Sequence, residues 1–185
     1  MAKRYYMACL DLTGRRCVVV GGGPVALEKT EGLLDAGAAV TVVAPEVLTD
    51  FHRLGVTWRA ARYLSRHLDG AFLVIVATGD RRVDERVAAD AEERGMLCNV
   101  ADVPGLCNFI LPSIFRRDPI AVAVSTGGAS PALAKRLRDQ IGELVQPRHA
   151  ELAERLRALR PWAKSRYPTY DDRRRFFEQI VEAEL

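Results

Sequence analysis

Cys17-Val18-Val19-Val20-Gly21-Gly22-Gly23-Pro24-Val25-Ala26 is the stretch that decides the fold. A short β-branched run ending in glycines reads as a buried strand that stops in a tight turn. After the turn, Ala26, Thr30, Leu33 and Leu34 recur at helical spacing between Val25 and Ala36, and Gly37 is placed to stop the helix. Ala39 to Ala44 is a second β-branched run, cut by Pro45. Together these predict a β-α-β unit of about 28 residues. The turn itself fits G-x-G-x-x-A. Gly21 permits the tight exit from the strand, Gly23 lets backbone approach a pyrophosphate, and Ala26 lets helix and strand pack closely. The phosphates would then meet the free N–H groups and the dipole of the helix N-terminus. Gly21, Gly22, Gly23, Pro24 and Val25 are therefore candidate dinucleotide contacts.

The alternation continues downstream. Val56 to Ala60, Phe72 to Ala77 and Met96 to Val100 read as further strands, and Val83 to Arg94 as a helix. Strands alternating with helices imply an α/β domain with a Rossmann-like parallel sheet covered on both faces. The pattern then changes. Asn108 to Phe115 and Pro119 to Ser125 are apolar stretches joined by Arg116-Arg117-Asp118, too short a joint for a crossover helix, so antiparallel pairing is expected. Ser130-Pro131 opens a helix to about Val145, with serine as N-cap and proline at the first helical position. Glu151 to Leu159 and Arg173 to Glu184 are two further helices among Pro147, Pro161 and Pro168. The expected organisation is a Rossmann domain over 1–112, a smaller α+β dimerisation and substrate domain over 113–146, and a helical tail over 147–185.

Several positions beside the glycine turn carry chemistry. The second strand of this fold normally ends in an acid that binds the ribose hydroxyls. Here Val43 and Ala44 hold that place and the first acid is Glu46, so Pro45 and Glu46 are the candidate ribose contacts. No arginine follows the strand directly to meet a 2′-phosphate, which favours NAD over NADP. Thr78 and Gly79 end the fourth strand. They either line the dinucleotide cleft or belong to an ordinary turn with Asp80 as N-cap. Asp102 follows the fifth strand. A carboxylate there suits proton removal during hydride transfer, while an Asp shortly before Pro104 also suits a plain turn. Ser125, Thr126, Gly127 and Gly128 lead into the Ser130-Pro131 helix, where hydroxyls and a helix N-terminus suit carboxylates; a plain capped loop is the other reading.

Composition bounds the function. Apolar residues make up 49% and charged residues 28%, a globular mixture that excludes disorder. Residues 1–112 hold 13 Lys+Arg and 14 Asp+Glu, whereas 113–185 hold 14 and 10, so the +3 net charge lies in the second part, the part suited to an anionic ligand. The four cysteines lack CxxC spacing, and His52, His67 and His149 lack ligand spacing, so no metal site is expected. Met1 to Tyr6 holds basic residues but no apolar core for export, and Ala71 to Ala77 is too short to span a bilayer. A reduced, cytoplasmic setting without membrane contact is expected. No dense basic patch interleaved with aromatics points to nucleic acid.

Val19 to Ala26, Lys29, Cys98-Asn99-Val100-Ala101-Asp102, Phe109-Ile110-Leu111-Pro112-Ser113 and Ser125-Thr126-Gly127-Gly128-Ala129-Ser130-Pro131 occur in an order and spacing that resembles the precorrin-2 dehydrogenases of siroheme synthesis, including the amino-terminal part of siroheme synthase. The resemblance implies NAD-dependent oxidation of precorrin-2 to sirohydrochlorin by a homodimer, with Asp102 as the key catalytic carboxylate and Ser125 to Gly128 toward substrate. In some members the same site inserts ferrous iron, a lyase activity in which iron is a transient partner. The chain stops at Leu185, so the methyltransferase activity of the multifunctional relatives is not expected. Thr126 stands where some relatives have serine. The competing reading is an NAD(H)-sensing regulatory module. Such modules need no catalytic carboxylate, and they commonly keep the acid at the end of the second strand that this chain lacks.

Overall fold

The computed structural model describes residues 4–185; Met1 to Lys3, the start of the amino-terminal stretch, lie outside the described residues. The chain divides into two compact units, Met1–Ile110 and Leu111–Leu185.

The first unit contains β1 (Arg16–Val20), α1 (Pro24–Asp35), β2 (Ala39–Ala44), β3 (Thr57–Ala60), β4 (Leu73–Val76), α2 (Arg81–Glu93) and β5 (Leu97–Val100). The five strands form one parallel sheet in the order β3-β2-β1-β4-β5. Strand order therefore reverses between β1 and β4, and the carboxyl ends of strands at such a switch point frame a ligand crevice. The pleat divides the core in two. Val18, Val20, Val74, Val76, Cys98 and Val100 pack with Val87 and Ala91 of α2. Cys17, Val19, Val40, Val42, Leu73 and Ile75 pack with Ala26 and Leu33 of α1. Both faces are covered, so Cys17 to Val20 of β1 and all of β4 are apolar, and full burial stabilises by about 1.5–3 kcal/mol per valine or leucine.

In the second unit, β6 (Ser113–Arg117) and β7 (Ile120–Val124) pair antiparallel, as their short joint predicts. α3 (Pro131–Leu144) starts as expected, with the Ser130 hydroxyl accepting from Leu133 N at 3.2 Å. Its Gly142 lies so close to the hairpin that a Cβ would stand 2.6 Å from the Phe115 ring. α4 (Pro147–Arg166) and α5 (Tyr170–Glu184) complete the unit.

Two expectations need correcting. The strand expected from Asn108 begins only at Ser113. Asn108 instead lies along the open edge of β5 and bonds to it partly through its side chain, so no ladder starts there. The helix expected over Glu151 to Leu159 runs from Pro147 to Arg166 with Pro161 inside it. Pro147 takes the first helical position, where its missing N–H costs nothing. Beyond Pro161, Ala163 is fully buried, and Trp162 and Tyr167 stack with Phe176 of α5. That packing offsets the cost of an interior proline, about 3 kcal/mol.

Candidate nucleotide and catalytic site

Three glycines follow β1, and the structure gives each a different job. Gly21 has φ +130°, and a Cβ there would lie 2.2 Å from the Ala77 carbonyl oxygen at the end of β4. A Cβ on Gly22 would lie 2.1 Å from the Glu46 carbonyl oxygen, and the Gly22 carbonyl accepts from Leu48 N at 3.0 Å. These two glycines let the turn nest between the ends of β2 and β4. Gly23 is different: its φ of −87° suits any residue, and a Cβ there would meet nothing within 4 Å. No protein contact requires glycine at Gly23, so the space above it is free for a ligand's close approach. Gly23 is also the N-cap of α1 and supplies no side-chain cap, and the first turn holds no acid. The helix N-terminus is left to an external anion. Pro24 and Val25 are exposed there, and Ala26 is fully buried against β1. The residues present therefore fit a dinucleotide.

The other candidates surround the turn within the first unit. Pro45 and Glu46 leave β2 exposed to solvent, and Trp58 Nε1 donates to the Ala44 carbonyl at 3.0 Å, fixing the strand end beneath them. Thr78 and Gly79 leave β4. Asp80 is the N-cap of α2, its carboxylate accepting from Arg82 N and Val83 N. The Thr78 hydroxyl accepts from Asp80 N at 3.0 Å and donates to the carboxylate of Asp84, which is 5% exposed. The capped-turn reading thus holds for the side chains, while Gly79, with φ +71°, leaves open space above the turn. Nothing in the sequence marks Asp84. An acid in the first turn of a helix is unremarkable in sequence, and only its burial reveals the bond to Thr78.

Asp102 follows β5. It occupies the third position of a turn in which Val103 N donates to the Val100 carbonyl at 3.2 Å, with φ +59°. It is the only described residue other than glycine with positive φ. Its carboxylate is exposed and forms no hydrogen bond among the described residues. An uncommitted carboxylate held in a sparsely populated conformation is a feature typical of functional sites.

The segment after this turn closes the edge of β5 without a sixth strand. The Asn108 carboxamide accepts from Cys98 N at 2.7 Å and donates to the Met96 carbonyl at 2.8 Å, while Asn108 N donates to the Cys98 carbonyl at 3.1 Å. Asn99 Nδ2 donates to the Phe109 carbonyl at 3.0 Å, and the Cys107 sulfur accepts from Val100 N at 3.2 Å. Burial, with Cys107 close by, pushes the Cys98 thiol up to about 12. These partners were not legible in the sequence beyond the presence of polar residues beside an apolar strand.

Ser125 to Gly128 lie in the second unit, between β7 and α3. Ser125 Oγ accepts from Gly127 N at 3.1 Å, and Thr126 Oγ1 accepts from Ser130 N at 3.0 Å and donates to the Ser130 carbonyl at 3.1 Å. Gly127 and Gly128 both have positive φ. Both hydroxyls thus have partners within the loop, as the capped-loop reading expects. Among the described residues no group of three or more His, Cys, Asp or Glu side chains is placed to hold a metal ion, and no helix is long and apolar enough to cross a membrane.

Comparison with known proteins agrees with this geometry. The family described as "Putative NAD(P)-binding" matches residues 8–113, the sirohaem biosynthesis protein central region matches 117–144, and the sirohaem synthase dimerisation region matches 148–185. The siroheme synthase of Nitrosospira multiformis is 42% identical over 181 residues, which are 94% of this chain and 38% of that protein. That of Chromobacterium violaceum is 41% identical over 185 residues, covering 98% of this chain and 39% of its own. The chain thus spans about two fifths of the length of these curated relatives. Among solved structures, SirC, a precorrin-2 dehydrogenase, superposes with a TM-score of 0.81 at 28% identity, covering 96% of this chain and 89% of that one. These comparisons give no support to the regulatory-module reading. Carrying the NAD(P)-binding, central and dimerisation regions in that order, the chain belongs to the family of precorrin-2 dehydrogenases and siroheme synthases.

Proposed function

We propose that this protein oxidises precorrin-2 to sirohydrochlorin with NAD. The observation that carries the reading is Asp102, an exposed and uncommitted carboxylate at positive φ, on the same carboxyl end of the sheet as the open glycine turn. The substrate loses a hydride from carbon and a proton, giving sirohydrochlorin, NADH and H⁺. When bound, the nicotinamide would supply the hydride acceptor. The chain's own residues do the rest. Gly21 and Gly22 shape the turn, Gly23 admits the pyrophosphate, and the uncapped N-terminus of α1 binds it. Glu46 accepts from the ribose hydroxyls and repels a 2′-phosphate. No Lys or Arg stands between Ala44 and Asp50, which supports NAD as the cofactor. Asp102 takes the proton.

We assign 1–112 to the nucleotide, 113–146 to substrate and dimerisation, and 147–185 to the helical completion of the protomer, which works as a homodimer in the cytoplasm. Ser125 to Gly128 would receive substrate carboxylates through the loop's backbone and hydroxyl oxygens. The exposed Ile114, Leu133, Leu137 and Leu144 of β6 and α3 support a covered face in that region. The uncommitted Asp102 carboxylate also suits removal of pyrrole protons as ferrous iron, a substrate, enters sirohydrochlorin.

The test is one assay. Protein, NAD and enzymatically made precorrin-2 are mixed, and NADH and sirohydrochlorin absorbance are followed. No turnover by folded protein would overturn the dehydrogenase reading. Replacement of NAD by NADP should lower kcat/KM at least about tenfold, the loss of a single good contact or more. A ferrous iron arm, read by siroheme absorbance, decides the chelatase step.

A further inference from the structure

We infer that the Cys107 thiol is a positioning residue that pins the Asp102 turn in its positive-φ conformation. The inference rests on the catalytic reading of Asp102 for its kinetic consequence, and on the hydrogen bonds alone for its structural one. A non-glycine residue with positive φ persists only where its surroundings over-determine it. An aspartate often secures such a turn through its own side chain, but the Asp102 carboxylate makes no hydrogen bond among the described residues. The restraint must come from outside the residue.

The Cys107 sulfur is placed to supply it. It accepts from Val100 N at 3.2 Å, and it lies 3.3 Å from the Val100 carbonyl and 3.4 Å from the Val103 carbonyl, to either of which its single proton can be donated. Val100 and Val103 are the first and last residues of the turn, so one thiol bridges both of its ends. Asn99 Nδ2 approaches the same sulfur at 3.7 Å from within β5. The thiol is 6% exposed, so these bonds are shielded from water. Among the described residues Asn108, next in sequence, bonds to Cys98 and Met96 and so supports the strand edge rather than the turn.

That difference separates positioning from plain structural support. Cys107→Ala should lower kcat about 10- to 100-fold, the usual penalty for misplacing a reacting group by about 1 Å, with NAD affinity within about twofold of the parent. Cys107→Ser keeps a donor and acceptor at the same place and should recover most of the rate. Asn108→Ala should lower Tm yet leave kcat within about threefold. Crystal structures of the parent, Cys107→Ala and Cys107→Ser proteins give a readout independent of turnover: Asp102 should leave positive φ in the alanine variant and keep it in the serine variant. An unchanged φ in Cys107→Ala overturns the inference, as does a rate loss matched by Asn108→Ala or not rescued by serine. If the parent protein does not oxidise precorrin-2, the functional reading fails, and the φ comparison alone decides whether Cys107 holds the turn.

Discussion

Two turns at the carboxyl end of the same sheet use positive φ for opposite reasons. After β1, Gly21 stands at φ +130° because a Cβ would strike the Ala77 carbonyl. After β5, Asp102 stands at φ +59°, where glycine would be easier to accommodate. The first turn obeys sterics, and the second holds an exposed carboxylate at a position that glycine would occupy more easily. The largest expected effect follows from the second turn. Asp102→Asn keeps shape and hydrogen-bonding capacity but cannot take a proton. It should lower kcat about 10²–10⁴-fold, while NAD affinity and Tm stay near the parent values. Steady-state kinetics beside a nucleotide titration check this, and an unimpaired rate would return Asp102 to the role of plain turn residue.

The first turn can be split further. Gly21→Ala forces a side chain against backbone in a left-handed conformation and should cost about 3 kcal/mol, or roughly 10 °C in Tm. Gly23→Ala should leave the fold almost unchanged. Its backbone already suits alanine, and the gain of about 0.4–1 kcal/mol from a stiffer unfolded chain is offset by the loss of glycine's preference at the N-cap of α1. The new methyl fills the space where a pyrophosphate would approach, and NAD should bind about tenfold more weakly. Thermal melts and NAD titration of the pair would separate a glycine kept for the fold from one kept for the ligand. Equal destabilisation by both would collapse the distinction.

The same contrast explains what could be read in the sequence. The glycine turn was legible because sterics restrict the residue type: Gly21 and Ala26 announce tight packing in the string, whereas Gly22 stands at an unrestricted position of the motif and only its approach to the Glu46 carbonyl reveals its constraint. β1, β2, β4 and β5 were legible because burial leaves apolar runs such as Val18 to Val20 and Leu73 to Val76, whereas β3 is an exposed edge strand without such a run. The supports of the Asp102 turn were not legible. Cys107 bridges the two ends of the turn through its buried sulfur, and Asn108 holds the neighbouring strand edge through its side chain; no periodicity encodes either. The apolar run after Asn108 even suggested a strand, because a side chain standing in for a ladder leaves no pattern of its own. Pro161 misled for a related reason. Local propensity ends a helix there, but the aromatic packing against α5 continues it.

A smaller effect links the two turns through their strands. β1 buries Cys17 and β5 buries Cys98, and burial pushes these thiols up to about 11 and about 12 from an ordinary 9.0. A raised pKa in the folded state means that the fold favours the protonated thiol. That stability is fully present below pH 9 and is lost as pH rises from there through the folded values. Near pH 10 each thiol should account for about 1 kcal/mol of lost stability. Denaturant melts between pH 8 and about 11 should therefore show a falling midpoint. Cys98→Ala should flatten the upper part of that fall more than Cys17→Ala, because its folded value is higher. An identical pH slope in both variants and the parent would assign the alkaline loss to other groups.

The smallest effect tests the idea of accepted strain most directly. If Asp102 is retained at φ +59° for its carboxylate, then Asp102→Gly should relieve the conformational cost. Glycine gives back part of this gain through the greater entropy of its unfolded chain. The net should be a stabilisation of about 0.5 kcal/mol, or roughly 1–2 °C in Tm for a chain of this size. Activity should fall as far as in Asp102→Asn. A variant that is slightly more stable and nearly inactive is the signature of a residue kept for chemistry against the preference of the fold. A clear loss of stability in Asp102→Gly would mean that the side chain supports the turn after all. The two turns would then both be answers to packing, and the difference between them would lie only in which residue met the demand.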